Sequence, residues 1–116
     1  MLGVLLLLAA ADPLTAPAVG TAATCLIVGR QLEYKVASAD VLLVRAGGRW
    51  HRSRLPDGCP GLKPNMIIVR RDASSRACAN DLFEVKDNFT PEVFSLCRFG
   101  RFEPLDKASR FLRWGE

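Results

Sequence analysis

Residues 41–55 read VLLVRAGGRWHRSRL, which is two β-prone runs on either side of a Gly-Gly pair. Val41 to Val44 is an uninterrupted apolar run, and Trp50 to Leu55 follows after the Ala-Gly-Gly turn at residues 46–48. Tight hairpin turns require positive φ, which glycine adopts without steric cost. The stretch therefore predicts an antiparallel β-hairpin.

Further β-prone runs lie before and after this hairpin and are separated by turn residues. Pro-Asp-Gly at 56–58 and Pro-Gly at 60–61 break the chain directly after the hairpin. Six short strands in about 80 residues, with no long helical pattern, predict an all-β fold, either a small antiparallel barrel or a sandwich. The additional runs span residues 25–36, 65–70, 82–85 and 97–102.

The composition is that of one small globular domain. The chain has 116 residues, of which 49% are hydrophobic and 24% charged, and its formal net charge is +4. This apolar fraction is too high for a disordered chain. A single apolar run of ten residues is also too little for a multi-spanning membrane protein.

The N-terminal run is typical of an export signal. Residues 2–11 read LGVLLLLAAA, and small residues follow at Thr21, Ala22 and Ala23. An apolar run of about ten residues is too short to cross a bilayer core as a helix, whereas small residues fit a signal-peptidase cleft. We predict a signal peptide over residues 1–23, cut near Ala22 or Ala23, and a periplasmic or secreted mature chain without a transmembrane span. The cut removes one acid and no base, so the net charge rises from +4 to +5.

Two alternatives for this region are weaker. A buried N-terminal helix would be apolar on all sides, because no polar stripe interrupts the run. A lipid anchor on Cys25 would require a small residue such as Ala or Gly directly before the cysteine, where this chain has Thr24.

The four cysteines predict disulfides. Cys25, Cys59, Cys78 and Cys97 are 34, 19 and 19 residues apart. Structural zinc sites and dithiol redox sites use closely spaced pairs such as C-x-x-C, which this spacing excludes. An even number of cysteines in a small exported chain indicates disulfides. We expect two disulfides, in any of three pairings, and neither a metal nor a cofactor.

Three short motifs carry the last three cysteines. Their order and spacing resemble the pattern L-P-x-x-C-P-G-L, C-x-x-D and C-x-x-G-x-F-x-P of a family of small exported bacterial proteins of unknown function. The resemblance covers residues 25–104 and implies an exported, disulfide-bonded β protein, with no activity attached. The motifs are Leu55-Pro56-Asp57-Gly58-Cys59-Pro60-Gly61-Leu62, Cys78-Ala79-Asn80-Asp81 and Cys97-Arg98-Phe99-Gly100-Arg101-Phe102-Glu103-Pro104.

Few side chains suit catalysis. His51 is the only histidine, and on a strand it shares a face with Ser53 about 7 Å away, too far for a hydrogen bond. Carboxylates for glycoside chemistry would be Asp81, Glu84 and Asp87, but Asp81 is expected to bond a turn backbone instead. The sequence contains no Gly-rich phosphate loop, H-E-x-x-H motif or calcium loop. We predict no catalytic residues and a protein that is not an enzyme.

The basic second strand of the hairpin is the strongest functional signal. Arg49, Arg52 and Arg54 lie around Trp50, with Arg45 across the turn. Basic and aromatic side chains on a small barrel are typical of single-strand nucleic-acid binders, but export separates the protein from nucleic acid. An anionic envelope polymer or lipid head group therefore suits this charge better. Alternatively, the charges only keep an edge strand soluble and prevent edge-to-edge pairing.

The last residues differ in character from the β domain at 24–104. Residues 105–116 form a basic amphipathic tail, in which a helix of about two turns would be marginal alone in water. It could dock on the domain, stay frayed, or contact an anionic membrane surface. Its apolar side is Ala108, Phe111 and Leu112, and its basic side is Lys107, Arg110 and Arg113.

These features predict a structural or binding module whose partner is an anionic envelope component. The alternative is a small protein inhibitor of an envelope or foreign hydrolase. Because the chain is basic, the target of such an inhibitor should be acidic. A hydrolase would need a catalytic site that these residues do not assemble.

Overall fold

The computed structural model describes residues 12–28, 32–71, 74–89 and 92–106. Within these ranges the chain is all-β, as predicted, and no helix is long and apolar enough to span a bilayer. The predicted C-terminal helix lies outside the described residues. The nine strands are β1 Cys25–Ile27, β2 Glu33–Ser38, β3 Val41–Ala46, β4 Arg49–Arg54, β5 Ile67–Arg70, β6 Arg76–Cys78, β7 Leu82–Lys86, β8 Val93–Arg98 and β9 Phe102–Pro104.

The strands form three antiparallel sheets. One has four strands in the order β2-β3-β4-β9, one has three in the order β5-β7-β8, and β1 pairs with β6. The predicted hairpin, which is confirmed, forms the centre of the four-stranded sheet, with β3 and β4 paired from Val41↔Arg54 to Ala46↔Arg49. Its turn residues Gly47 and Gly48 have φ of 60° and 75°. These positive values favour glycine, on which the prediction of the hairpin was based.

The strand count and one set of bounds differ from the expectation. The run at 25–36 contains two strands that belong to different sheets, and β6 was not predicted. The prediction of one strand over 97–102 is wrong, because β8 ends at Arg98 and β9 begins at Phe102. Between them Gly100 lies so close to the Arg54 carbonyl that a Cβ would clash. The Ser53 hydroxyl accepts from Gly100 N at 2.9 Å and donates to Gly100 O at 3.1 Å.

The main core is built around an aromatic row. Phe83, Phe99 and Phe102 are fully buried, and their ring centroids are 4.6 Å apart for the first two and 5.7 Å for the last two. Aliphatic side chains from β1, β3, β5 and β7 surround the row. Each buried ring contributes roughly 1.5–3 kcal/mol of transfer free energy, so this row is a large part of the apolar stabilisation.

A second, smaller core lies on the other side of the four-stranded sheet. Side chains alternate between the faces of a strand, so the apolar run of β3 faces both cores. We call this side the Trp50 face and define it by Val41, Leu43, Trp50 and Arg52. Three of these residues form a buried cluster with Ala16 and Leu105.

Residues 12–23, the N-terminal segment, cover the Trp50 face and its edge. Ala16 is buried in the second core. Val19 N donates to Pro104 O at 2.9 Å, and Ala23 exchanges two backbone hydrogen bonds with Phe102, at 2.8 and 2.9 Å. The segment thus adds an irregular border to β9 before the chain enters β1.

Two disulfides are present, as predicted, with the pairing Cys25–Cys78 and Cys59–Cys97. The first joins register partners of β1 and β6 whose Cα atoms are 4.0 Å apart. The second is buried and ties the loop after β4 to β8. Because the Cys25 sulfur is bonded to Cys78, it is not available for a lipid thioether.

We expect a mild reductant to open the two bridges in a fixed order. Cys25 and Cys78 are partly exposed, whereas Cys59 and Cys97 are only 1% and 4% exposed. A thiolate therefore reaches Cys25–Cys78 in the native state, and Cys59–Cys97 should react at least roughly tenfold more slowly because it needs local opening. Alkylation of the new thiols during a dithiothreitol time course, followed by peptide mass spectrometry, gives both rates.

The control for this order is the same time course in urea, where both bridges should react at similar rates. Equal rates without urea would contradict the burial of Cys59–Cys97.

Candidate binding surfaces

The predicted basic patch lies largely on the Trp50 face. Trp50, Arg52 and Arg54 alternate along β4, so their side chains share one side of the sheet. Arg45, the register partner of Trp50, lies on that side too. Arg49 has the opposite parity, and its Nη1 donates to Leu105 O at 3.1 Å. The structure thus brings four of the five predicted residues onto one side of the sheet.

The centre of this patch is buried. Trp50 is 7% exposed, and the Lys35 ammonium lies 5.0 Å from its ring centroid. Arg52 is only 2% exposed. The expectation of an exposed patch is therefore wrong for Trp50 and Arg52, because the N-terminal segment covers the face on which they lie.

The Arg52 guanidinium donates hydrogen bonds to two parts of the chain that are distant from it in sequence. Its Nε and Nη2 donate to the two carboxylate oxygens of Glu103 at 3.2 and 3.0 Å. Its Nη1 donates to Pro13 O at 3.2 Å and to Ala16 O at 2.6 Å. This arrangement satisfies the charge and most of the donors of the guanidinium away from water.

The more exposed arginines also have internal acceptors. Arg54 donates from Nε to Glu103 Oε2 at 3.1 Å and from Nη2 to Leu14 O at 3.3 Å. Arg45 pairs with Glu33 at 3.5 Å on the adjacent strand. The cationic groups of the predicted patch therefore serve the fold, and only Arg45 and Arg54 keep exposed side chains.

The two arginines set the ionisation of Glu103. The hydrogen bond from Arg52 lowers the pKa of this carboxyl below its ordinary value of 4.5, burial opposes the effect, and the charges of Arg52 and Arg54 lower it further. Glu103 is therefore a carboxylate at neutral pH.

Glu103→Gln should destabilise the protein strongly. It leaves the buried Arg52 cation without a counter-charge, which we expect to cost about 3 kcal/mol of unfolding free energy in urea titrations at neutral pH. Below pH 4.5 the difference from the parent should shrink, because the Glu103 contribution is lost as pH falls through its lowered folded-state pKa.

The matched control is Glu33→Gln, which breaks an exposed ion pair and should cost about 0–1 kcal/mol. Equal losses in the two variants would show that the Arg52–Glu103 pair is not desolvated.

His51 is buried within the four-stranded sheet. It is 8% exposed and lies between its register partners Val44 and Pro104. Ser53 has the same parity, as predicted, but its hydroxyl is held by Gly100. Burial lowers the pKa of His51 below 6.5. Hydrogen bonds with the backbone of Arg49 and Val44 oppose this shift, and the charge of Arg49 adds to it. Its neighbours give it a packing role, in line with the prediction.

The buried histidine should make stability fall in mild acid. The unfolded chain takes up a proton at a pKa of 6.5, whereas folded His51 resists it. The His51 contribution is therefore complete above that pH and is lost as pH falls towards the lowered folded-state pKa. As the pH is lowered from about 7.5 to about 5.5, the urea concentration at half-unfolding should fall more steeply for the parent than for His51→Leu. Parallel slopes would mean that His51 is not desolvated.

The carboxylates considered for catalysis have local structural partners. Asp81 Oδ2 accepts from Cys78 N at 2.9 Å, which confirms the predicted turn contact. Glu84 pairs with Arg71 and Lys86, and Asp87 Oδ1 accepts from Phe89 N at 3.0 Å. Among the described residues no three histidine, cysteine or acidic side chains form a group that could hold a metal ion.

A second surface, which the sequence analysis missed, lies on the outer side of the three-stranded sheet. We call it the apolar sheet face and define it by Ile67, Val69, Val93 and Leu96, which are 39–50% exposed. The register forms two rows, Ile67–Lys86–Val93 and Val69–Glu84–Leu96. Each row places a charged residue of β7 between two aliphatic side chains of the neighbouring strands.

The charged side chains on the apolar sheet face and beside it are mainly basic. Glu84 is paired with Lys86 at 3.6 Å and with Arg71 at 3.4 Å. The exposed Arg98 follows in the next row, opposite Leu82. Three cations therefore accompany one carboxylate around the aliphatic side chains.

Two exposed aromatic rings lie at one end of the three-stranded sheet. Phe94 occupies the register irregularity of β8 and is 58% exposed, and Phe89 is 90% exposed. With Gly61 and Met66 they line a cleft of about 210 Å³. The Phe94 ring lies against Gly61, whose φ of 83° and lack of a side chain make room for it.

One sequence signal could have identified the apolar sheet face. Residues 66–69 read MIIV, without the alternation of an antiparallel strand that has one solvated side. Such a run in a small domain indicates that both sides of the strand are apolar.

Comparison with known proteins adds no relative, since no protein-family model, curated protein or solved structure matches this chain. The resemblance of the cysteine motifs to small exported bacterial proteins stays a prediction.

Proposed function

We propose that this protein is an exported binding module that recognises another protein through the apolar sheet face. An N-terminal signal directs it to the periplasm or the medium, and it acts by binding and not by catalysis. The observation that carries this proposal is the exposure of four aliphatic side chains on one side of the three-stranded sheet. Exposed aliphatic side chains that are grouped on one face with charged residues among them are typical of interaction sites.

The setting outside the cytosol is supported by the disulfides. Two disulfides join all four cysteines, and disulfides persist in oxidising compartments.

The charge around the apolar sheet face indicates the chemistry of the partner. Lys86, Arg71 and Arg98 outnumber Glu84 among the charged side chains on this face and beside it. A protein surface that combines apolar side chains with acidic ones would complement it. An acidic hydrolase is one such partner, and the protein would then be its inhibitor.

An anionic envelope polymer or lipid head group is less well supported as a partner. Trp50 and Arg52 are buried, and Arg45, Arg49 and Arg54 have internal acceptors. Weak attraction through net charge would remain, but it needs no defined site.

The double variant Val69→Thr/Leu96→Thr tests the proposal. Threonine keeps the β propensity of both positions and removes apolar contact area worth about 1 kcal/mol each, so affinity should fall roughly tenfold or more. The partner is first identified by crosslinking in the exported fraction. It is then purified on its own and titrated against each variant of the oxidised protein, and the Kd is measured.

The matched control is Ile27→Thr, which changes a 78% exposed aliphatic residue on β1, outside the apolar sheet face. It should bind like the parent. The proposal fails if the double variant also binds like the parent, or if the parent binds no protein but sediments with anionic phospholipid vesicles in a manner lost in Arg45→Gln/Arg54→Gln.

A further inference from the structure

We propose that the N-terminal segment is a permanent part of the mature domain, and that export processing hydrolyses the bond between Ala11 and Asp12. This inference rests on the export in the proposed function and goes beyond it, because it concerns how the chain matures and not what it binds. It competes with the predicted cut near Ala22 or Ala23, which would remove nearly all of the segment.

The segment begins with a self-contained turn at Asp12. The side-chain carboxylate of Asp12 accepts a hydrogen bond from Leu14 N at 2.8 Å. The backbone carbonyl of Asp12 accepts one from Ala16 N at 2.8 Å. Pro13, the next residue, cannot donate a backbone hydrogen bond, and its fixed φ suits the first position of such a turn. The first residue after the proposed cut thus already organises the residues that follow.

The turn supplies acceptors that the domain needs. Arg52 Nη1 donates to Pro13 O and Ala16 O, and both acceptors belong to the segment. A cut near Ala22 or Ala23 would remove two of the four hydrogen bonds of this guanidinium and leave only its pairing with Glu103, on a face that is then open to water.

The segment also covers apolar surface. Ala16 is 4% exposed and packs with Trp50, Leu43 and Leu105, and Leu14 packs against the same cluster. Loss of the segment would expose this second core to water on a domain with little apolar surface to spare.

The edge of β9 depends on the segment as well. Val19 N bonds Pro104 O, and Ala23 pairs with Phe102. Without residues 12–22 the Pro104 carbonyl would lose its partner, and β9 would become an open sheet edge beside it.

The residues directly before Asp12 are small, as a signal peptidase requires, and follow an apolar run. Residues 2–8 are an apolar run of seven, and Ala9-Ala10-Ala11 follows, with small residues at the third and first positions before the bond. In the cut, water adds to the Ala11 carbonyl carbon and the C–N bond breaks. Ala11 leaves as a carboxylate and Asp12 as a free amine that takes up a proton.

The experiment is intact-mass and N-terminal peptide analysis of the full-length gene product after export by a bacterial host. We expect the mature chain to begin at Asp12. A chain that begins at Ala23 or Thr24 would overturn the proposal, and so would a product that still carries Ala11.

Matched variants test the site itself. Ala11→Leu puts a bulky residue before the bond and should block processing, so that the precursor accumulates. Ala22→Leu and Ala23→Leu, each alone, should be processed normally at Asp12. The reverse pattern would place the cut at the end of the segment. Because these readouts are masses, they stay informative if a variant folds poorly, and they do not depend on any partner.

Discussion

The position of the Arg52 guanidinium is the constraint on which the rest of the structure depends. A side chain that is 2% exposed carries a full charge, and taking such a charge out of water costs several kcal/mol unless it is paired and hydrogen-bonded. Its partners come from two parts of the chain that are distant in sequence, Glu103 on β9 and the carbonyls of Pro13 and Ala16. The charge therefore couples the placement of β9 beside β4 to the placement of the N-terminal segment over the sheet.

The disulfides provide a constraint of a different kind, on sheets that are too small to be stable alone. The pair β1–β6 has only three residues in each strand, and isolated two-stranded sheets are marginal in water. Cys25–Cys78 fixes that pair, and Cys59–Cys97 ties the end of the four-stranded sheet to β8. Each bridge closes a loop of tens of residues and stabilises by roughly 2–5 kcal/mol, mainly through the unfolded chain.

Local features of the fold were predictable from the sequence and long-range ones were not. The hairpin of β3 and β4 follows from Gly47 and Gly48, and the all-β class follows from repeated short runs. The break between β8 and β9 depends on the contact of Gly100 with Arg54 and Ser53. No local sequence pattern predicts this contact, because the residues are far apart in the chain. Arg52 was expected at the surface because arginine is rarely buried. Its burial requires Glu103, 51 residues later, and a segment that resembles the end of a signal peptide.

The same difference explains why the candidate binding surface was misplaced by sequence reasoning. A cluster of arginines indicates an anionic partner only when the guanidinium groups face solvent, and here they bond carboxylates and carbonyls of the fold itself. On the Trp50 face, the aliphatic and aromatic side chains are covered by the N-terminal segment. On the apolar sheet face, Ile67, Val69, Val93 and Leu96 are covered by no described part of the chain. The exposed part of these four side chains still contacts water, so contact with a protein partner would bury further apolar surface and favour binding.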